Sequence, residues 1–337
     1  MSRYRQLVAE ALRSVRISSP TRFHWHGASG PVLPPDVESA MEPETARRYL
    51  VHTLQAHFYA SFYCPGAARP RRPEAYLQPQ LGFTPFLQSL SSANAGTGSR
   101  EPGWLVVRRD DDGQVVVLRD GLTLWARPEE VAGSAEPGAV VSVLLPKELF
   151  RLSPGFYMAL GNAALDSEAT PIVRFYWNLR REGAAVLMAM LTAALNQEAL
   201  GFRLKVLNHP EGYSRCDAAV LYVSRSDYGR AADIVAATYP AIACHLKPAI
   251  PALTKPLAEG LGLAEDPGPA GDSFGMHRCR LLADAVVRAH ERGGGSAQAS
   301  PEDVEARFGE EGISLDRPYL NPGSADDYAL LLPGRRA

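Results

Sequence analysis

Ile172-Val-Arg-Phe-Tyr-Trp-Asn-Leu179 and Phe202-Arg-Leu-Lys-Val-Leu207 alternate apolar and polar side chains, the period-two pattern of strands. Between them, Gly183–Leu200 is rich in Ala, Leu and Met and reads as a helix. A strand, a helix and a strand in succession predict neighbouring strands joined over one face of a sheet. Working outward, Asp217–Val223 adds a strand and Tyr228–Leu246 a helix. Ser273–Arg292 contains a helix starting near His277. Ser300 before Pro301 caps another, which Gly312 ends. The expected class is α+β, with a mixed C-terminal sheet and flanking helices over residues 147–337.

Upstream the pattern differs. Leu7, Val8, Leu12 and Val15 recur at helical spacing across residues 1–18, and 42–63 give a second helix with an aromatic end at Phe58, Tyr59, Phe62 and Tyr63. Residues 1–90 thus form a helical region. Residues 64–75 are a loop by composition, and 91–103 read as a flexible linker. Gly103–Arg109, Gln114–Arg119, Leu122–Trp125 and Ala139–Leu145 predict a small antiparallel β unit over 103–146, with Asp110–Gly113 as a turn.

The bulk numbers narrow the function. The chain has 337 residues, 46% hydrophobic and 21% charged, with a net charge of −2. That balance argues against wholesale nucleic-acid binding, so any anion site is local. No run of eighteen apolar residues predicts a membrane span. Met1–Gln6 lacks an apolar signal core. Cys64, Cys216, Cys244 and Cys279 show no C-x-x-C and read as buried free thiols of a cytoplasmic protein. Histidine spacing suggests no metal site. Trp25, Trp104, Trp125 and Trp177 read as core.

In Ile172–Leu179 the apolar face holds Val173, Phe175, Trp177 and Leu179; the other holds Arg174, Tyr176 and Asn178. In Phe202–Leu207, Arg203 and Lys205 oppose Phe202, Leu204 and Val206. Such a polar face is a solvated surface or an anion cradle; arginine beside tyrosine and asparagine favours the cradle. Arg215, Tyr222 and Arg225 follow closely. Lys255 lies in the irregular stretch 253–267. His277, Arg278 and Arg280 fall on the first turn of a helix, where N–H groups attract anions; equally, Ser273 merely caps that helix.

The strings Pro154-Gly-Phe-Tyr157, Val173-Arg-Phe-Tyr-Trp-Asn178, Phe202-Arg-Leu-Lys-Val206, Leu253-Thr-Lys-Pro-Leu257, Glu265-Asp-Pro267, Ser273-Phe-Gly-Met-His-Arg278 and Asp316–Ser324 resemble the HopA-class type III effector family. The resemblance covers roughly 145–330. Members also occur in gene clusters for ribosomally made, modified peptides, including class V lanthipeptides and thioamitides, beside a kinase-like protein. More distantly the family is similar to phosphothreonine lyases, which use a strand lysine as base, a strand histidine as acid and arginines for phosphate.

The resemblance therefore implies a phosphoserine/phosphothreonine lyase acting on a phosphorylated precursor peptide, without metal or organic cofactor. The alternatives are a non-catalytic phosphopeptide- or leader-peptide-binding partner of a kinase-like protein, and an effector-like protein that binds phosphoproteins. Lys205 would be the base. Arg174, Arg203, Arg215, Tyr222, Arg225, Lys255 and Arg278 would bind phosphate. Tyr176 stands where the histidine is expected, so Tyr176 or His277 could serve as acid, or the phosphate leaves without one.

Overall fold

The computed structural model describes residues 2–65, 84–150, 153–165, 171–268, 272–295 and 297–332. Residues 66–75 of the expected loop lie outside these. Helices α1 (Arg3–Ser14), α2 (Pro35–Ser39), α3 (Pro43–Phe58) and α4 (Pro85–Ala93) fill the N-terminal part. The first helix is shorter than expected: from Val15 the chain turns into a three-stranded sheet of β1 (Val15–Ser19), β2 (Arg22–Trp25) and β3 (Ala28–Ser29).

The small β unit is antiparallel: β4 (Ser99–Arg109), β5 (Val115–Arg119), β6 (Leu122–Ala126), β7 (Val131–Ala132) and β8 (Val140–Leu145). Trp104, Val106, Val115, Val117, Ala126, Val141 and Val143 give it its own core. Trp125 is exposed on its surface rather than buried, its Nε1 donating to Asp110. The stretch expected as a flexible linker is neither long nor loose. Residues 91–93 complete α4 and Ser99 begins β4. Between them Asn94 donates to the Lys147 carbonyl and the Tyr157 hydroxyl, and the Ala95 N–H donates to Thr192. Side-chain partners for the backbone pin a composition that otherwise signals mobility.

The main sheet comprises β9 (Glu148–Leu149), β10 (Phe156–Leu160), β11 (Ile172–Trp177), β12 (Phe202–Leu207), β13 (Ala219–Ser224), β14 (Lys255–Ala258) and β15 (Leu261–Glu265), in the order β14-β15-β11-β13-β12-β10-β9. Its ladders are antiparallel, not mixed as expected. The two strands read as neighbours are also separated: β13 lies between β11 and β12. These two run parallel to each other, joined by helix α5 (Ala184–Gln197), a split β-α-β arrangement. Parallel neighbours and this split layout share one sequence pattern, because only the later strand decides which forms.

Helix α6 (Tyr228–Ile242) packs on α5 over the apolar face, where Phe175 stacks on Tyr228. Helices α7 (Phe274–Arg292) and α8 (Pro301–Glu310) join α3 and α1 on the other side. Tyr4, Val8, Leu12, Leu54 and Phe58 share one buried core with Phe175, Leu204 and Leu221. The N-terminal helices therefore fold onto the C-terminal sheet. Cys64, Cys216 and Cys279 are buried, whereas Cys244 is exposed. Among the described residues no helix is long and apolar enough to cross a membrane.

Candidate functional site

Register places the candidate residues in two rows across the polar face. Leu160, Arg203, Tyr222, Arg174 and Ala264 are successive cross-strand partners. One pleat along, Met158, Lys205, Val220, Tyr176 and Gly262 form the second row. Directly opposed residues share a face. Lys205 and Tyr176 are thus on the same face with one strand between them, about 10 Å apart at the backbone.

The cations of this face differ in how they are held. Arg174 is nearly buried, and its Nε and Nη2 both donate to Asp266 Oδ2, the former at 2.8 Å. Its guanidinium lies 5.0 Å from the Tyr222 ring centre. Arg215 follows the short helical turn Pro210–Ser214. It donates from Nε to Asp217 Oδ1 at 2.7 Å and from Nη2 to Oδ2 at 2.8 Å. Burial pushes the Asp217 carboxyl up, but the hydrogen bonds and charge of Arg215, with help from Cys64 and Lys205, outweigh it and hold it at about 2. Both aspartates take the Nε/Nη2 edge, and a planar guanidinium held on one edge still presents Nη1.

Phe156 forms the floor. The Lys205 ammonium sits 4.3 Å from its ring centre and the Arg215 guanidinium 5.4 Å. Lys205 and Arg203 are half-buried and, among the described residues, make no ion pair or hydrogen bond. Lys205, Arg203, Arg215, Arg174 and Tyr222 thus converge on one half-open face, with Asp217 and Asp266 as its carboxylates. Cations outnumbering carboxylates on a partly dehydrated surface favour an oxyanion.

Tyr176 lies on this face, only 4% exposed. Burial pushes its hydroxyl up to about 12, with Arg174 pulling the other way. Burial, then the Tyr176 hydroxyl, pushes the Tyr63 hydroxyl well above its ordinary range, and neither hydroxyl makes a hydrogen bond of normal geometry.

Four predicted residues are not brought to this face. Arg225 follows β13 and turns to the C-terminal segment, pairing with Glu265 at 3.0 Å and donating to Ser324 at 3.0 Å. Lys255 pairs with Asp326 at 2.6 Å. Arg278 is fully buried and donates to the carbonyls of Pro318 and Leu320 and to His277 Nδ1. Burial lowers it to about 10. Burial, then Arg278 and Arg280, lowers His277 to about 4, so it is neutral at pH 7 and its Nδ1 is engaged as an acceptor. At this helix start Ser273 caps the Met276 N–H, and Arg280 pairs with Asp272. The helix-terminus anion reading is replaced by capping and carboxylate pairing.

Sequence reasoning missed Phe156, Asp217, Asp266 and Tyr59. Phe156 and Asp266 lie in the strings Pro154–Tyr157 and Glu265–Pro267, so only their roles went unread. Tyr59, whose hydroxyl donates to Asp217 at 3.0 Å, is 158 residues from its partner in sequence and gave no such signal. Among the described residues no cluster of three or more His, Cys, Asp and Glu side chains is disposed to hold a metal ion.

The HopA1 effector protein family matches residues 149–320, which carry the last residue of β9 and everything from β10 through α8. The chain belongs to that family. No curated protein matches it. Two solved structures are similar in part. The effector protein from Pseudomonas syringae pv. tomato strain DC3000 is 17% identical, over 80% of this chain and 90% of its own, with a TM-score of 0.47. The effector protein from Pseudomonas syringae pv. syringae strain 61 is 15% identical, over 50% of this chain and 63% of its own, with a TM-score of 0.38.

Proposed function

We propose that this chain is a phosphoserine/phosphothreonine lyase that eliminates phosphate from a phosphorylated precursor peptide, leaving dehydroalanine or dehydrobutyrine. The observation that carries the reading is the pair Lys205 and Arg203, half-buried and, among the described residues, without carboxylate partners, beside Arg215 on the Phe156 floor.

Lys205, in its neutral form, takes the α-proton. The electrons of the Cα–H bond become the Cα=Cβ double bond, the Cβ–O bond breaks, and phosphate leaves with that pair. Arg203 and the open edges of Arg215 and Arg174 receive the phosphate and stabilise the charge gathering on it. Tyr222 lines the same row. His277 is withdrawn from the acid's role by its burial and its bond to Arg278. Tyr176 is on the right face but sealed. The proposal therefore has phosphate departing as an anion, without a general acid, and calls for no metal or organic cofactor. The phosphorylated peptide requires a kinase-like protein as the partner that acts first.

Incubation with synthetic phosphoserine and phosphothreonine peptides, read by mass spectrometry, tests this. Loss of phosphoric acid, abolished in Lys205→Ala, is the expected result. The sealed Tyr176 hydroxyl favours a second reading, a non-catalytic phosphopeptide-binding partner; binding without mass change would decide for it. Release of phosphate leaving a hydroxyl would indicate hydrolysis.

A further inference from the structure

Helix α3 continues into five residues, Tyr59–Tyr63, wound as a π-helix. Such turns are uncommon and recur at functional sites. This one lies outside residues 149–320. It sets the Tyr59 and Tyr63 rings 5.2 Å apart and aims Tyr59 at the sheet. The Tyr59 hydroxyl donates to Asp217 Oδ2 at 3.0 Å and accepts from Arg215 Nη2 at 3.3 Å. The next residue after the turn, Cys64, donates its thiol to Asp217 Oδ1 at 3.1 Å. Each oxygen of the buried Asp217 carboxylate thus takes one donor from Arg215 and one from the N-terminal segment.

The turn itself is fixed from behind. The Tyr63 carbonyl accepts from the Ala252 N–H at 2.8 Å. Gly275, in the first turn of α7, presses on the Tyr63 ring: a Cβ there would lie 2.3 Å from Cε1. Only glycine lets that helix approach so closely.

We propose that Tyr59, with Cys64 beside it, is a positioning residue that fixes the guanidinium of Arg215 through Asp217, so that the N-terminal segment completes the phosphate site. The proposal rests on the anion-site reading above. An arginine held by one carboxylate can swing together with it; a carboxylate gripped on both oxygens from a second element cannot. Burial and Asp217 hold the Tyr59 hydroxyl well above its ordinary range, which keeps it a donor. The consequence falls on recognition of the phosphoryl group rather than on the peptide around it.

Calorimetric titration of the full chain with a phosphothreonine peptide, and with the same peptide unphosphorylated, separates these. In Tyr59→Phe the preference for the phosphorylated peptide is expected to fall about tenfold, the worth of a hydrogen bond to a charged group. Affinity for the unphosphorylated peptide stays as in wild type. A merely structural role would change both affinities together. An unchanged preference in Tyr59→Phe overturns the proposal. Should that variant melt too low to titrate, Cys64→Ala removes the donor on the other oxygen, and an unchanged preference there overturns it equally. A wild type without any preference sinks the anion-site reading itself, and the positioning role with it.

Discussion

Two groups of basic residues around one sheet meet opposite surroundings. Around Lys205, two arginines are braced by aspartates on one edge, and among the described residues Arg203 and Lys205 have no carboxylate of their own. Elsewhere, Arg225, Lys255 and Arg278 are tied down by Glu265, Asp326 and the carbonyls of Pro318 and Leu320. The second group binds the stretch 313–328 to the sheet: Tyr328 donates to Glu265 and the Asn321 N–H donates to its other oxygen. Residue type is the same in both. What differs is whether the donors already have acceptors, and that difference separates a candidate site from a structural clasp.

The largest expected effect breaks the comparison by function. Lys205→Ala should abolish elimination, by at least about a thousandfold for loss of the proton acceptor. Its melting temperature should shift little, because the ammonium makes no ion pair among the described residues and rests only on the Phe156 ring. Mass spectrometry and thermal melts on one preparation check both.

The converse variant is Arg278→Ala. Removing a fully buried side chain that bonds two carbonyls should cost about 3 kcal/mol or more of stability. Below its melting temperature it should keep the preference for phosphorylated peptide. Denaturant titration gives the first and calorimetry the second. Loss of phosphate recognition with unchanged stability would return Arg278 to the site.

Acid should loosen the two regions in sequence. His277 has its folded value lowered from 6.5 to about 4, so the unfolded chain binds the proton more readily. Its contribution to stability is whole above about pH 6.5 and is lost as pH falls toward 4. Asp217 is lowered from 3.8 to about 2, so its contribution persists above about pH 4 and is lost toward pH 2. Melting temperature against pH should therefore fall in two stages. His277→Gln should flatten the upper stage and leave the lower one.

How far the sequence shows this contrast depends on range. Alternation within Ile172–Leu179 and Phe202–Leu207 correctly assigned Arg174, Tyr176, Arg203 and Lys205 to polar faces, because side-chain direction on a strand is local. Insertion of β13 between β11 and β12 is a matter of pairing, which no single strand encodes. The fates of Arg225, Lys255 and Arg278 depend on acceptors at Glu265, Asp326, Pro318 and Leu320. Glu265, Pro318 and Leu320 stand in strings already notable in the sequence, but nothing local pairs them with those cations. Tyr59 is the extreme case, a residue whose relevance rests on a partner 158 positions away.

The smallest expected effect sharpens the contrast at a single atom. Tyr63 is 1% exposed and its hydroxyl has no partner of normal geometry, whereas the Tyr59 hydroxyl one π-turn away has two. A buried polar group without a partner bears a desolvation cost and returns nothing to the folded state. Tyr63→Phe should therefore leave stability unchanged or raise it by up to about 1 kcal/mol. Tyr59→Phe, which strips Asp217 of a donor, should lower it by about the same amount. Chemical denaturation of the two variants side by side gives both signs. A clear loss of stability in Tyr63→Phe would mean that the Tyr63–Tyr176 hydroxyl pair is bonded after all, and that Tyr63 serves the core rather than standing idle beside the site.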